Sequence, residues 1–416
     1  MGNKNGCKLT FVDLFAGAGG LSEGFVVNGF IPIAHIEMNP EAADTLRTRM
    51  CYHWLKNIDS PVYQDYLRGE VSREQLYQSV PESILNSVIN EKMSEENLSE
   101  VFNIVDKLMA KNTVSNIDLV VGGPPCQAYS LVGRARSEDN MVSDPRNHLY
   151  KLYCRFLQKY QPKMFVFENV PGLLNANKGL YFSQMQQYFR TVGYELEYRV
   201  LNASDFGVLQ NRLRVILVGW RRELNLSYPE FNMVNHSWVV GDLLDDLPSL
   251  QAGESDADYS DKRIKGYLKE FLLRTENDIL TWHVARPHIE RDRKIYRLVI
   301  NAWQNEHKRL KYTDLPEELC THKNRTAFLD RFKVVARDLP ACHTITAHLS
   351  KDGHYFIHPD YCQARSISVR EAARIQSFPD NFFFEGSRTA AFTQIGNAVP
   401  PLMARGIADA IRKILS

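Results

Sequence analysis

Over its first 220 residues the chain alternates between short apolar runs and longer stretches of helical period. This rhythm constrains the fold most. Strands separated by helices must lie parallel, and a parallel sheet needs helices on both faces to bury it. Leu9 to Asp13 reads as the first strand, Leu21 to Asn28 as a helix and Ile31 to Ile36 as the second strand. Asn39-Pro40 then opens a helix that runs to about Trp54, with Asn39 as its cap and Pro40 at its first position. Further strands fit Ile117 to Val121, Met164 to Glu168, Glu195 to Leu201 and Val215 to Trp220.

Two stretches break the rhythm. Residues from about Asp59 to Ser115 are charged and helix-favouring, with Ser72-x-x-Gln75 and Ser94-x-x-Asn97 as helix starts, and read as a helical insertion. From about Asn225 to Pro340 the alternation disappears, and an acidic stretch (Asp242, Asp245, Asp246, Glu254, Asp256, Asp258) precedes a basic one, which predicts a second domain. A chain of 416 residues with 44% hydrophobic content has material for both cores. Its 50 basic and 49 acidic side chains nearly cancel, so any surface for nucleic acid must be local. Between Arg286 and Arg337 there are 13 Lys and Arg against 7 Asp and Glu, interleaved with Tyr296, Trp303, Tyr312 and Phe332. No run approaches the roughly 20 apolar residues of a membrane span. Seven cysteines without a Cys-x-x-Cys pair, and no apolar leader, suit a reduced cytoplasmic setting. The histidines at 343, 348, 354 and 358 with Cys342 and Cys362 fit no common zinc spacing, so no metal site is assigned.

Two local patterns carry chemistry. Asp13-Leu14-Phe15-Ala16-Gly17-Ala18-Gly19-Gly20 joins the first strand to the first helix, where small residues let a ligand approach the backbone and the helix amino terminus. Glu37, at the end of the second strand, can accept hydrogen bonds from two ribose hydroxyls. The glycine spacing departs from Gly-x-Gly-x-x-Gly and nothing nearby is set to hold a pyrophosphate, which argues against a nicotinamide or flavin enzyme. The second pattern is Pro124-Pro125-Cys126-Gln127, a rigid turn after a strand that holds a thiol at the carboxyl end of the sheet. Taken alone, the first is also an ordinary tight turn, and Cys126 an ordinary small hydrophobe.

Together with further blocks, these patterns resemble the DNA cytosine-5 methyltransferase family. The matching segments stand in the family's order: Asp13 to Gly20, Glu37, Gly123 to Ser130, Glu168-Asn169-Val170, Gln210-Asn211-Arg212-Leu213-Arg214, Arg365 to Pro379, and Gly396-Asn397-Ala398-Val399-Pro400-Pro401. The resemblance implies a Rossmann-like α/β fold for S-adenosylmethionine-dependent methyl transfer, with a mixed, mostly parallel sheet and a second, smaller target-recognition domain. Residues 1–220 plus 391–416 would form the catalytic domain, and 221–390 the target-recognition domain.

The resemblance also assigns roles. Carbon 5 of cytosine is too poor a nucleophile to take a methyl group until a nucleophile adds at carbon 6, and a thiolate suits that task because it both attacks and leaves readily. Cys126 is the implied nucleophile. Glu168 would share a proton with ring nitrogen 3, since a carboxyl group closed off from water can hold and donate one. Arg214 would reach the cytosine carbonyl oxygen, while Arg212, two residues earlier and expected on the same face, would order the active-site loop or a phosphate. S-adenosylmethionine would lie against Asp13, Phe15, Ala16, Gly17, Gly19, Gly20, Glu37, Met38, Pro124 and Asn397. The family's adenine-contacting aspartate follows the third strand, and Asp65 is assigned to it, with Asp59 as the rival. The implied substrate is double-stranded DNA, from which the cytosine must be flipped. The expected partner is a restriction endonuclease acting on the same sequence, and the enzyme is read as a monomer. A tRNA cytosine-5 methyltransferase and a catalytically silent DNA-binding paralogue are the alternatives.

Overall fold

The computed structural model describes residues 9–125, 149–322, 324–326 and 329–416, so Cys126 lies outside the described residues. Strands β1 (Thr10–Leu14), β2 (Ile31–Ile36), β3 (Val88–Ile89), β4 (Leu119–Gly122), β5 (Met164–Asn169), β6 (Tyr194–Asn202) and β7 (Leu213–Arg221) form one sheet. Their order is β3-β2-β1-β4-β5-β7-β6. The first five positions are parallel, and β7 runs antiparallel between β5 and β6.

Helices α1 (Gly20–Val27), α2 (Pro40–Asn57), α3 (Val62–Leu67), α4 (Arg73–Gln78), α5 (Glu82–Asn86) and α6 (Leu98–Lys111) come from the first part of the chain. They are followed by α7 (Leu149–Tyr160), α8 (Leu180–Thr191), α9 (Glu290–Glu306), α10 (Val369–Ile375), α11 (Arg388–Asn397) and α12 (Pro401–Leu415). Every residue of β1 is buried, and successive side chains point to opposite faces. Phe11 therefore joins a core with α1 and α12, whereas Val12 and Leu14 join another with α6, α7 and α8. Two cores are the consequence of a sheet covered on both sides. At α2 the expected cap is in place: the Asn39 side chain accepts from the Ala42 amide at 2.8 Å, with Pro40 at the first position.

The stretch 59–115 differs from a purely helical insertion. It contains β3, which pairs with β2 at the sheet edge, and α6, which packs into the second core. Only its first part stands aside, as a small cluster of Tyr63, Leu76 and Val80 against Cys51, Tyr52 and Leu55 of α2. The Ser72–Gln75 capping box forms, whereas the second start slips by a few residues, and α6 begins after Asn97.

The region beyond 221 also divides differently from the expected domain boundary. Val240, Tyr267, Leu268, Leu273, Ile367, Val369, Phe378, Phe382 and Phe384 belong to the same core as Phe11 and Phe25. A separate core is built from Ile295, Tyr296, Val299, Ile300, Tyr312, Leu315, Phe332, Val334, Ala336, Ile357 and Ala364. The reason is that charges which read as surface are buried in pairs. Arg374 is fully buried and binds Asp246 at 2.5 Å and Asp380 at 2.6 Å, and Arg365 binds Glu371 at 2.7 Å. Arg274 also pairs with Asp246. A buried guanidinium is tolerated only when its donors are satisfied, and these links fix the 240s, 270s and 365–380 to one another, while their apolar side chains share the core of the sheet domain.

Candidate active site

The loop after β1 is shaped by left-handed backbone at Phe15 (φ 59°), Gly17 (φ 57°) and Gly19 (φ 87°). The Ala16 amide donates to the Ile36 carbonyl at 3.0 Å, which ties the loop to the end of β2. Glu37 follows at that end. Its Oε2 accepts from the Gly17 amide at 2.8 Å and its Oε1 from the Asn39 amide at 2.7 Å. Burial raises its pKa, and the amides of Asn39 and Gly17 oppose that rise. A carboxylate offers about four lone-pair sites, so both oxygens keep acceptor capacity. Beside it Met38 is 56% exposed, an apolar side chain left open at the loop.

Asp13 is buried at the end of β1. The Ser22 hydroxyl donates to its Oδ2, while its Oδ1 has no hydrogen-bond partner. Burial pushes its carboxyl up to about 7, against the pull of Ser22 and with help from the charge of Glu37. Gly20 is required by a neighbour from the far end of the chain, because a Cβ there would stand 2.3 Å from the Val399 carbonyl. The Gly396-to-Pro401 block thus packs directly on the loop. Asn397 ends α11 in that block and is exposed.

The second group gathers at the carboxyl ends of β4 and β5. Glu168 Oε1 receives Arg214 Nε at 2.6 Å, and both side chains are mostly buried, at 13% and 12% exposure. Arg214 sits on β7, which runs antiparallel to β5 and so brings its start to the end of β5. Gly123, just past β4, lies against the same carboxylate, and a Cβ there would be 2.5 Å from Glu168 Oε2. Asn169 Nδ2 donates to the Pro124 carbonyl at 3.2 Å. The turn that leads to Cys126 is therefore fastened to Asn169, next to Glu168 in the chain, and packs on Glu168 itself.

The expected common face of Arg212 and Arg214 and the assignment of Asp65 need correction. Arg212 precedes β7 and is fully buried, donating to the Ile345 carbonyl at 2.6 Å and the Gly396 carbonyl at 3.0 Å. It does not share the surroundings of Arg214, because the chain enters the sheet only at Leu213. Asp65 lies on α3, paired with Arg68 at 3.2 Å, and follows no strand. The residue after β3 is Asn90, whose Nδ2 donates to the Glu37 carbonyl at 2.8 Å. A two-residue strand leaves almost no periodic signal, which hid both β3 and Asn90. Ser22, Gln210 and Gln376 were also missed, and only their places inside matching blocks or beside Asp13 could have marked them.

A profile of C-5 cytosine-specific DNA methylases matches residues 9–66 and 89–413. The Type II methyltransferase M.Bpa9945I of Bacillus paralicheniformis is 42% identical, over 98% of this chain and 99% of that protein. The Type II methyltransferase M1.HphI of Haemophilus parahaemolyticus is 30% identical, over 98% and 87% respectively. A crystal structure of an E. coli prophage-encoded chain, described as a candidate DNA modification methyltransferase, shares the fold with a TM-score of 0.63. It is 23% identical and the match covers 98% of this chain and 99% of that one. With matches over nearly its whole length, and with the Rossmann-like methyltransferase sheet described above, the chain belongs to the C-5 cytosine-specific DNA methylase family and is a DNA methyltransferase.

Proposed function

We propose that the chain transfers the methyl group of S-adenosylmethionine to carbon 5 of a cytosine flipped out of duplex DNA, through a covalent adduct with Cys126. The observation that carries this reading is the Glu168–Arg214 pair standing against Gly123, three residues before Cys126, at the same end of the sheet as the Gly17–Glu37 loop.

The residues present fit the cofactor. Glu37 retains acceptors for two ribose hydroxyls, Met38 offers an open apolar side chain for the adenine face, and the partnerless Asp13 Oδ1 can accept from a donor of the ligand. S-adenosylmethionine supplies an electrophilic methyl group on a sulfonium that leaves as a neutral thioether. The Cys126 thiolate adds to carbon 6, and Glu168 shares a proton with nitrogen 3 as negative charge builds in the ring. Arg214 fixes the Glu168 carboxylate and presents its remaining donors to the cytosine carbonyl oxygen. Carbon 5 takes the methyl group and then gives up its proton to solvent, and the electron pair left behind re-forms the double bond to carbon 6 as the bond from carbon 6 to sulfur breaks and releases the Cys126 thiolate. Unstacking the base costs a few kcal/mol, which backbone contacts must offset. Lys294, Lys308 and Lys311 are exposed and make no ion pair within 4 Å among the described residues, so their charge is available for phosphates.

The two Type II relatives, each spanning at least 87% of its length in the match, support a companion endonuclease of the same specificity. Bisulfite sequencing of a plasmid from cells expressing the chain tests the substrate and gives the recognition sequence. Cys126→Ala should abolish methylation and the stable adduct with DNA bearing 5-fluorocytosine. Retention of full activity by Cys126→Ala refutes the covalent route.

A further inference from the structure

Two buried glutamines outside the proposed chemistry link the small-domain side of the molecule to the cofactor loop. Gln210 and Gln376 are each fully buried. The Ile345 amide donates to Gln210 Oε1 at 2.8 Å, Gln210 Nε2 donates to Gln376 Oε1 at 2.7 Å, and Gln376 Nε2 donates to the Ile395 carbonyl at 2.7 Å and the Ala398 carbonyl at 3.3 Å. Gln210 Nε2 also reaches the Ile375 carbonyl at 3.2 Å. The direction of this relay is fixed at both ends, because an amide N–H at Ile345 needs an oxygen and the carbonyls at 395 and 398 need a nitrogen.

The far end brackets Asn397. The near end belongs to a strap, 342–345, that leaves the small core through Val334 and Ala336 and lies along 209–212. There the Cys342 amide donates to the Leu209 carbonyl at 3.0 Å, and the Asn211 amide to the Cys342 carbonyl at 2.8 Å. The strap continues into Thr346 and Ala347, whose backbone touches Gly396 so closely that a Cβ on Gly396 would be 2.2 Å from the Ala347 nitrogen. Arg212 closes the knot by holding the Ile345 and Gly396 carbonyls together.

We propose that Gln210 and Gln376 are positioning residues that set the Asn397 turn from the small-domain strap, so that cofactor affinity and DNA affinity rise and fall together. The inference rests on the proposed methyl transfer, since it presumes that the cofactor meets Asn397 and that DNA lies on the small domain. A buried amide left without its partner loses about tenfold or more in the equilibrium it supports. Because the relay is one unit, cutting it twice should cost no more than cutting it once.

The test uses the full chain as Gln210→Met, Gln376→Met and the double variant, which keep side-chain length and remove the amides. S-adenosylhomocysteine binding is measured by calorimetry, and initial rates on a plasmid fragment that the wild type methylates give KM for DNA and kcat. The expected result is at least a tenfold weaker Kd for S-adenosylhomocysteine in each single variant and a several-fold higher KM for DNA. The fall in kcat should be smaller, and the double variant should match the weaker single. Gln376→Met with wild-type circular dichroism and a Kd within twofold of wild type overturns the proposal, as do single effects that multiply in the double variant. A wild-type chain that binds neither ligand overturns the methyl-transfer reading as well, which separates the two failures.

Discussion

Gly123→Ala isolates the Glu168 site with the least disturbance to the fold. Gly123 has no left-handed backbone angle, so alanine is conformationally acceptable there. The added Cβ would nevertheless stand 2.5 Å from Glu168 Oε2, where ordinary contact begins near 3.4 Å. The carboxylate must therefore retreat by about 0.9 Å, and a displacement of that size at a reacting group costs about 100-fold in rate, or about 2.7 kcal/mol of barrier. The nearest obstructing atom is the end of a side chain, and the Glu168 backbone carbonyl at 3.2 Å need give only slightly, so stability should change by about 1 kcal/mol or less. Single-turnover methylation of duplex DNA, with the cofactor Kd measured separately, reads the two effects apart. The rate constant should fall about 100-fold while cofactor affinity and thermal midpoint stay near wild type. Combined with Glu168→Gln the loss should be less than multiplicative, since both changes strike one group. A Gly123→Ala enzyme within threefold of the wild-type rate would refute the placement of Glu168 at the reacting base.

Asp13 gives the stability of the apo-enzyme a pH dependence. Its carboxyl is raised from 3.8 to about 7 by burial, so the folded chain holds a proton that the unfolded chain has lost. Its contribution is fully present below pH 4 and disappears as pH rises through 7. Relative to Asp13→Asn, the wild type should lose about 2.5 kcal/mol between pH 5 and pH 8 in urea unfolding, and a constant gap across that range would contradict the assignment. Arg374→Met should destabilise by about 3–5 kcal/mol, because it leaves the buried Asp246 and Asp380 short of a cation, and a thermal midpoint unchanged from wild type would show that those carboxylates are not charged.

Much of the fold was legible because strong local signals agree with the tertiary environment. Ile31 to Ile36 is the strand read from its apolar run, and Asn39-Pro40 opens its helix as the side chain of the first and the fixed φ of the second dictate. What escaped notice lacks a local signal. Val88–Ile89 is too short to show a period, and it is a strand only because β2 offers an edge to it. Asp246 and Arg374 look like surface residues until their partners, 128 positions apart, are brought together. For the site, the blocks named Glu168 and Arg214 separately, but their contact depends on β7 inserting antiparallel between β5 and β6, which no spacing reveals.

The packing of α12 on α1 has a consequence for synthesis. Gly24 lies so close to Ala404 that a Cβ would be 2.3 Å from its carbonyl carbon, and Gly20 meets Val399 in the same way. The loop after β1 stays without one wall until the roughly 380 residues that separate it from Val399 and Ala404 have been added. At about 5–20 residues per second the delay is on the order of 20–80 s. Chains stopped before residue 396 would carry Cys126 and Glu168 yet lack that wall, so methylation is expected only from chains that extend past residue 404.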